Sequence, residues 1–448
     1  MPTLQSTSLF PRLRLTVALV ALGLAGATQA QSLKALYEAA RDYDATYLAA
    51  RSLADSAQYK AAQAEALRLP SASLAGSATR SQSHTVVGSN LNGNAATVGV
   101  TARQPLFNKV NDAVYAQAQR NFEFSKADLE TAEQDLIVRV AQAYFDVLAA
   151  QDTLATAQTS KKFISEQLAS AKRNFEVGTA TITDTREAQA RYDLGTATEI
   201  AAENDLRTKR IALDQLVGRS DVQPRPLAVP VALPPVLPAN PEEWVTVADG
   251  SHPNIRKTRL LQDIARLETE KAKAANLPTL DLTGGVSSAY NSGTAVTALG
   301  NKPGTSFNGS VGLQFSMPLF TGYANENRIK ETVVLEDKAR NDLEAARRSV
   351  AQGTRQAYFN AQSLRAQVLA LEAAESSSKL ALEATQLGYK VGVRVNLDVL
   401  NAQTQLFQTQ QSLAKARYDV VMNNLRLRQA AGVLAPQDVN AADALLAR

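Results

Sequence analysis

The sequence predicts an α+β membrane protein made by internal duplication, in which very long coiled-coil helices carry β-hairpins. Three observations predict it. Short motifs repeat at one fixed offset, Val110 to Glu176 runs 67 residues without proline or glycine, and the periodicity switches from helical to two after matching prolines.

The chain opens on an export signal. Arg12 and Arg14 form a basic segment, and Leu15 to Ala27 form an apolar one. Thr28-Gln29-Ala30 then puts small residues at a cleavage site, so residues 1–30 are expected to be removed as a signal peptide. The apolar run of 13 residues is too short to cross a bilayer, and no later stretch offers 18 uninterrupted apolar residues. Losing Arg12 and Arg14 lowers the formal charge from +4 to +2, too little for binding a phosphate backbone, so no nucleic-acid partner is expected. The chain has no cysteine, and its two histidines, His84 and His252, lie far apart. With no P-loop, G-x-S-x-G or H-E-x-x-H motif either, no cofactor, metal site or enzymatic activity is expected.

The mature chain repeats itself. Gln104-Pro105-Leu106-Phe107 returns as Met317-Pro318-Leu319-Phe320 after 213 positions. Ala143-Tyr144-Phe145-Asp146 returns as Ala357-Tyr358-Phe359-Asn360, and Phe175-Glu176-Val177-Gly178 as Tyr389-Lys390-Val391-Gly392, each after 214. Between the copies, residues 222–241 hold seven of the chain's 16 prolines and read as an extended linker. The expected division is a first repeat over 31–221, the linker, a second repeat over 242–436 and a tail over 437–448.

Each repeat begins with a helix, Leu33 to Leu69 and about Pro241 to Leu277. These end at Pro70 and Pro278, because proline cannot continue the hydrogen-bond ladder. Hairpins follow over about 71–106 and 279–319. Phe307 to Phe315 alternates apolar or small residues with polar ones, and Thr97 to Ala102 and Thr279 to Val286 do so more weakly. Gly/Asn-rich stretches, Ser83 to Asn94 and Ser287 to Gly304, are expected to join the strands, and Pro105 and Pro318 to turn the chain back into helix.

The run from Val110 makes about 100 Å of helix. Its apolar positions step by four and three through Leu136, Val140, Ala143, Val147, Ala150, Leu154 and Ala157. Val350, Thr354, Ala357, Ala361, Leu364, Val368 and Leu371 repeat the pattern, which marks a coiled-coil seam. Tyr144, Phe145, Tyr358 and Phe359 are expected to pack between helices. Four strands of about ten residues can each cross a membrane at a tilt, but they leave two open edges. Three chains would supply twelve strands and close the ring.

The order of elements, with Gly388-Tyr389-Lys390-Val391-Gly392-Val393-Arg394-Val395-Asn396-Leu397-Asp398 and its companion Val177-Gly178-Thr179-Ala180-Thr181-Ile182-Thr183-Asp184, resembles the TolC-like outer membrane efflux proteins over nearly the whole mature chain. Ala188-Gln189-Ala190-Arg191-Tyr192 and Ala416-Arg417-Tyr418-Asp419 extend the likeness. The resemblance implies a homotrimeric channel-tunnel in a Gram-negative outer membrane, with a 12-stranded barrel among the lipids and an α-helical barrel in the periplasm. It implies a periplasmic adaptor and an inner-membrane ABC or RND-type translocase as partners, in efflux or type I secretion. It also implies a gate in which Thr183 and Asp184 are tied to Tyr389 and Arg394, and a constriction at Asp398. The family's second acidic ring position is Asn401 here.

Overall fold

The computed structural model describes residues 31–84, 90–228, 233, 235–299 and 302–447; the expected signal peptide lies outside the described residues. The first half contains α1 (Leu33–Tyr43), α2 (Ala45–Ala66), β1 (Ser71–His84), β2 (Asn90–Phe107), α3 (Lys109–Glu176) and α4 (Ile182–Val217). The second contains α5 (Pro241–Ser251), α6 (Pro253–Ala274), β3 (Thr279–Ser292), a short α7 (Thr294–Ala298), β4 (Gly304–Ser316), α8 (Ala324–Lys390) and α9 (Asn396–Ala430), followed by α10 (Pro436–Asp443).

Neither leading helix is continuous as expected. The first breaks at Asp44, whose backbone is extended and whose carboxylate caps α2 by accepting the Tyr47 N–H at 2.8 Å. The same carboxylate takes both terminal nitrogens of Arg139 on α3 at 2.9 Å each. The second breaks at His252, which proline at 253 forces into extended backbone; its Nδ1 caps α6 by accepting the Asn254 N–H at 3.1 Å.

The strands form one antiparallel meander, β1-β2-β3-β4, in which the β2–β3 pairing joins the two halves. They run 13 to 18 residues, longer than expected. The ladder is built by backbone groups, so much of the Asn/Gly-rich stretches pairs as strand instead of looping. Pro105 lies inside β2 opposite Asp281, where the register slips before Phe107. Helix resumes at Lys109, capped by Asn108.

The two faces of the sheet differ over the part nearer the helices; toward the far end Arg80, Gln82, Asn92 and Asn94 join the apolar side. Leu74, Val98, Val100, Leu282, Val286, Val311 and Leu313 lie on one side and are all exposed, and Phe307 and Phe315 continue their row. Ser73, Thr101, Thr283, Asn308 and Gln314 lie on the other, where Arg103 pairs with Asp281 at 2.6 Å.

The main core sits midway along the helices. There Leu36, Leu136, Val140, Val147, Leu213, Val421 and Leu425 pack with Val439 and Leu446 of the C-terminal segment. Within this segment α10 (Pro436–Asp443) is helical, and Val439, Ala442 and Leu446 are buried. Tyr144, Phe145 and Tyr358 are buried as expected. Phe359 is 55% exposed, because α8 has no helix against that face within the chain. The two tyrosines hold the ends of the linker: Tyr144 bonds to the Arg225 backbone and Tyr358 to the Ala239 carbonyl.

Candidate gate at the helical tip

The long helices turn back in two matching reversals. Gly178 and Gly392 take φ of 78° and 81°, where an L side chain is strained, and no atom lies close enough to oppose a Cβ there. Glycine is therefore required by backbone angle alone. The Thr179 N–H donates to the Asn174 carbonyl at 2.8 Å, and the Val393 N–H donates to that of Gly388 at 2.9 Å.

Beyond the reversals the halves diverge. Thr181 and Asp184 form a reciprocal capping box at the start of α4: the Asp184 N–H donates to Thr181 Oγ1 at 3.2 Å and the Thr181 N–H to Asp184 Oδ2 at 3.0 Å. The position matching Thr181 in the second half is Val395, so α9 has no side-chain cap. Asp398, which matches Asp184, is left free of that duty and lies 3.6 Å from Arg394. Asn396 beside it is buried with neither side-chain polar atom partnered.

Two bonds join the reversals. Asn174 Nδ2 donates to the Tyr389 hydroxyl at 3.2 Å, and Arg191 Nη2 donates to Asn401 Oδ1 at 2.9 Å. Underneath, Ile164, Leu168, Ala171, Ala188 and Leu400 form one apolar cluster, and Leu382, Val399 and Leu406 form another. Thr183 is exposed. Among the described residues, no hydrogen bond or ion pair within the chain links Asp184 to Tyr389 or Arg394. Each has another partner: Thr181 for Asp184, Asn174 for Tyr389 and Asp398 for Arg394.

The sequence model for outer membrane efflux proteins matches residues 24–219 and 244–433, most of the chain. The chain belongs to the outer membrane efflux protein family. It is accordingly an outer-membrane protein of a Gram-negative cell, extending into the periplasm as a duct for efflux or secretion, and it is not an enzyme. It is 32% identical to the outer membrane protein TolC of Vibrio cholerae over 94% of this chain and 95% of that one. It is 32% identical to the alkaline protease secretion protein AprF of Pseudomonas aeruginosa over 76% and 70% of the two chains. The crystal structure of the outer membrane protein VceC of Vibrio cholerae matches its fold with a TM-score of 0.75 at 20% identity, over 89% of this chain and 96% of that one. No described helix is long and apolar enough to cross a membrane.

Sequence reading missed Asn174 and Thr181 at the tip and assigned Arg191 no role. Thr181 had a legible signal, since a threonine three residues before an acid at a helix start is a capping box. The bonds of Asn174 and Arg191 span 215 and 210 residues, and no local pattern carries such contacts.

Proposed function

We propose that three copies of the chain close into one gated duct, with twelve strands forming a barrel in the outer membrane and the long helices a hollow cylinder beneath it. The sheet is the observation that carries this reading. One face carries an exposed apolar band, and β1 and β4 each have an open edge. Hydrocarbon offers no partner for open backbone groups, so a membrane sheet must close, and four strands are too few for any known barrel. Threefold symmetry supplies twelve. An exposed apolar stripe on α8, Phe359, Leu369, Leu380 and Leu387, supports the same assembly.

In this reading residues 31–221 and 242–436 are duplicated halves joined by the linker 222–241. The tip is the gate, held shut by Thr183, Asp184, Tyr389 and Arg394, with Asp398 and Asn401 at the constriction. Within the cap, Asp184 uses Oδ2 and keeps Oδ1 free, while the Arg394 side chain is 61% exposed. A bond between them therefore falls to neighbouring copies. A periplasmic adaptor and an inner-membrane ABC or RND-type translocase supply the energy. Similarity to a protease secretion protein and to TolC supports an exit duct of that kind.

Planar-bilayer conductance tests the gate. Each charge-assisted bond is worth about 1–3 kcal/mol and symmetry triples it, so Tyr389→Phe with Arg394→Ser should move the closed–open balance more than tenfold. The double variant should conduct several times more than the parent, and Asp184→Ala somewhat less. A double variant that conducts like the parent while remaining trimeric would show these residues to be ordinary surface groups.

A further inference from the structure

We propose that Arg191 sets the ion preference of the tip entrance, by placing a guanidinium at the ring position of Asn401. This rests on the duct reading above and deepens it.

The stripe of the second reversal and α9 that runs through exposed Arg394, half-buried Asp398 and exposed Asn401, Gln405 and Gln408 holds one carboxylate. That carboxylate has Arg394 at 3.6 Å. Further along, Arg191 reaches from α4 and donates to Asn401 Oδ1 at 2.9 Å. Of the acids that precede it on α4, Asp184 is engaged by Thr181, and among the described residues no ion pair joins Glu187 to Arg191. The chemistry of the acceptor decides the outcome. An amide oxygen anchors a guanidinium without cancelling its charge, whereas a carboxylate at position 401 would both anchor and neutralise it. Each copy therefore keeps one positive charge at Asn401, and three copies make a cationic ring beside the Asp398 ring. Fixed charges lining a constriction set which ions enter, so this entrance does not concentrate cations.

The bond could also be no more than a tie between helices, and charge variants separate the two roles. Reversal potentials would be measured for trimers in planar bilayers under a KCl gradient. The parent should show no preference for potassium over chloride. Arg191→Gln should raise the potassium-to-chloride permeability ratio by about threefold or more, the scale of one charge per chain a few ångströms from the ion path. Arg191→Lys keeps the charge and should keep the parent's ratio. Asn401→Asp keeps and strengthens the tie while neutralising the ring, so it should move the ratio in the same direction as Arg191→Gln. Combining Arg191→Gln with Asn401→Asp should give the largest ratio. Conducting trimers whose ratio is unchanged by Arg191→Gln would overturn the proposal and leave the duct intact. Parent protein that forms no conducting trimer would overturn the duct reading, and this inference with it.

Discussion

The two halves share a sequence pattern at an offset of 214 residues, yet they bury it differently. Phe145 is 1% exposed, in edge contact with Tyr144 and packed near Tyr418. Its counterpart Phe359 is 55% exposed. The α3 helix is enclosed by α1, α2, α4, α6 and α9, whereas α8 packs mainly against α5, α6 and α9 and touches α3 near the tip through Tyr389. The break in the leading helix shows the same asymmetry. Asp44 is clasped by Arg139 in the first half, but the second half has His252 at the break and Gly353 where Arg139 would stand. The first half is thus braced within its own chain. The second retains an uncovered apolar stripe of the kind an assembly buries. The matched motifs lie in matching elements, and the surroundings of each give them different duties.

Exchanging the matched residues should break that comparison most clearly. Phe145→Ala removes a fully buried ring and should cost each chain about 3–5 kcal/mol in unfolding experiments. Phe359→Ala should leave the single-chain fold nearly unchanged and lower the temperature at which the assembly dissociates. Equal losses of chain stability would contradict the asymmetry.

Arg139→Ala should cost less, about 2 kcal/mol, since it strands the buried Asp44 carboxylate while the tyrosine cap remains. Replacing Gly353, the matching position, with alanine should not destabilise the chain, because open space surrounds it. Denaturant midpoints of the two variants would show whether the bracing is confined to the first half.

The smallest effect should appear in acid. Burial pushes the Glu268 carboxyl upward, but hydrogen bonds from Lys271, Gln117 at 2.8 Å and Arg328 at 2.7 Å outweigh it and hold the group down at about 2. A carboxylate depressed in this way stabilises fully above the ordinary value of about 4.3 and loses its contribution as pH falls toward 2. The parent's melting temperature should therefore fall more steeply between pH 5 and 2 than that of Glu268→Gln. Parallel curves would mean that this junction of α3, α6 and α8 adds no acid-labile stability.

Much of this architecture was legible in the sequence, because its signals are local and strong. Proline at 70 and 278 stops helices, the proline- and glycine-free run sets the length of α3, and the 214-residue offset pairs the halves. The breaks at Asp44 and His252 were less visible. No proline or glycine marks the break at Asp44, and part of its role comes from Arg139, 95 residues away. The exposure of Phe359 could not be read from its motif, which shares Ala-Tyr-Phe with that of Phe145; burial depends on which helices arrive. At the tip, the reversals follow from glycines, but the bonds of Arg191 and Asn174 depend on how the two halves lie against each other.

The central claim is that the sheet closes only in company, and the mass of the detergent-extracted protein tests it most directly. Native mass measurement, supported by chemical crosslinking, should find three chains per particle, with no stable single chain under conditions that preserve the strands. A monodisperse single chain with its full strand content would contradict the account, because its open edges and apolar face would then need no partner.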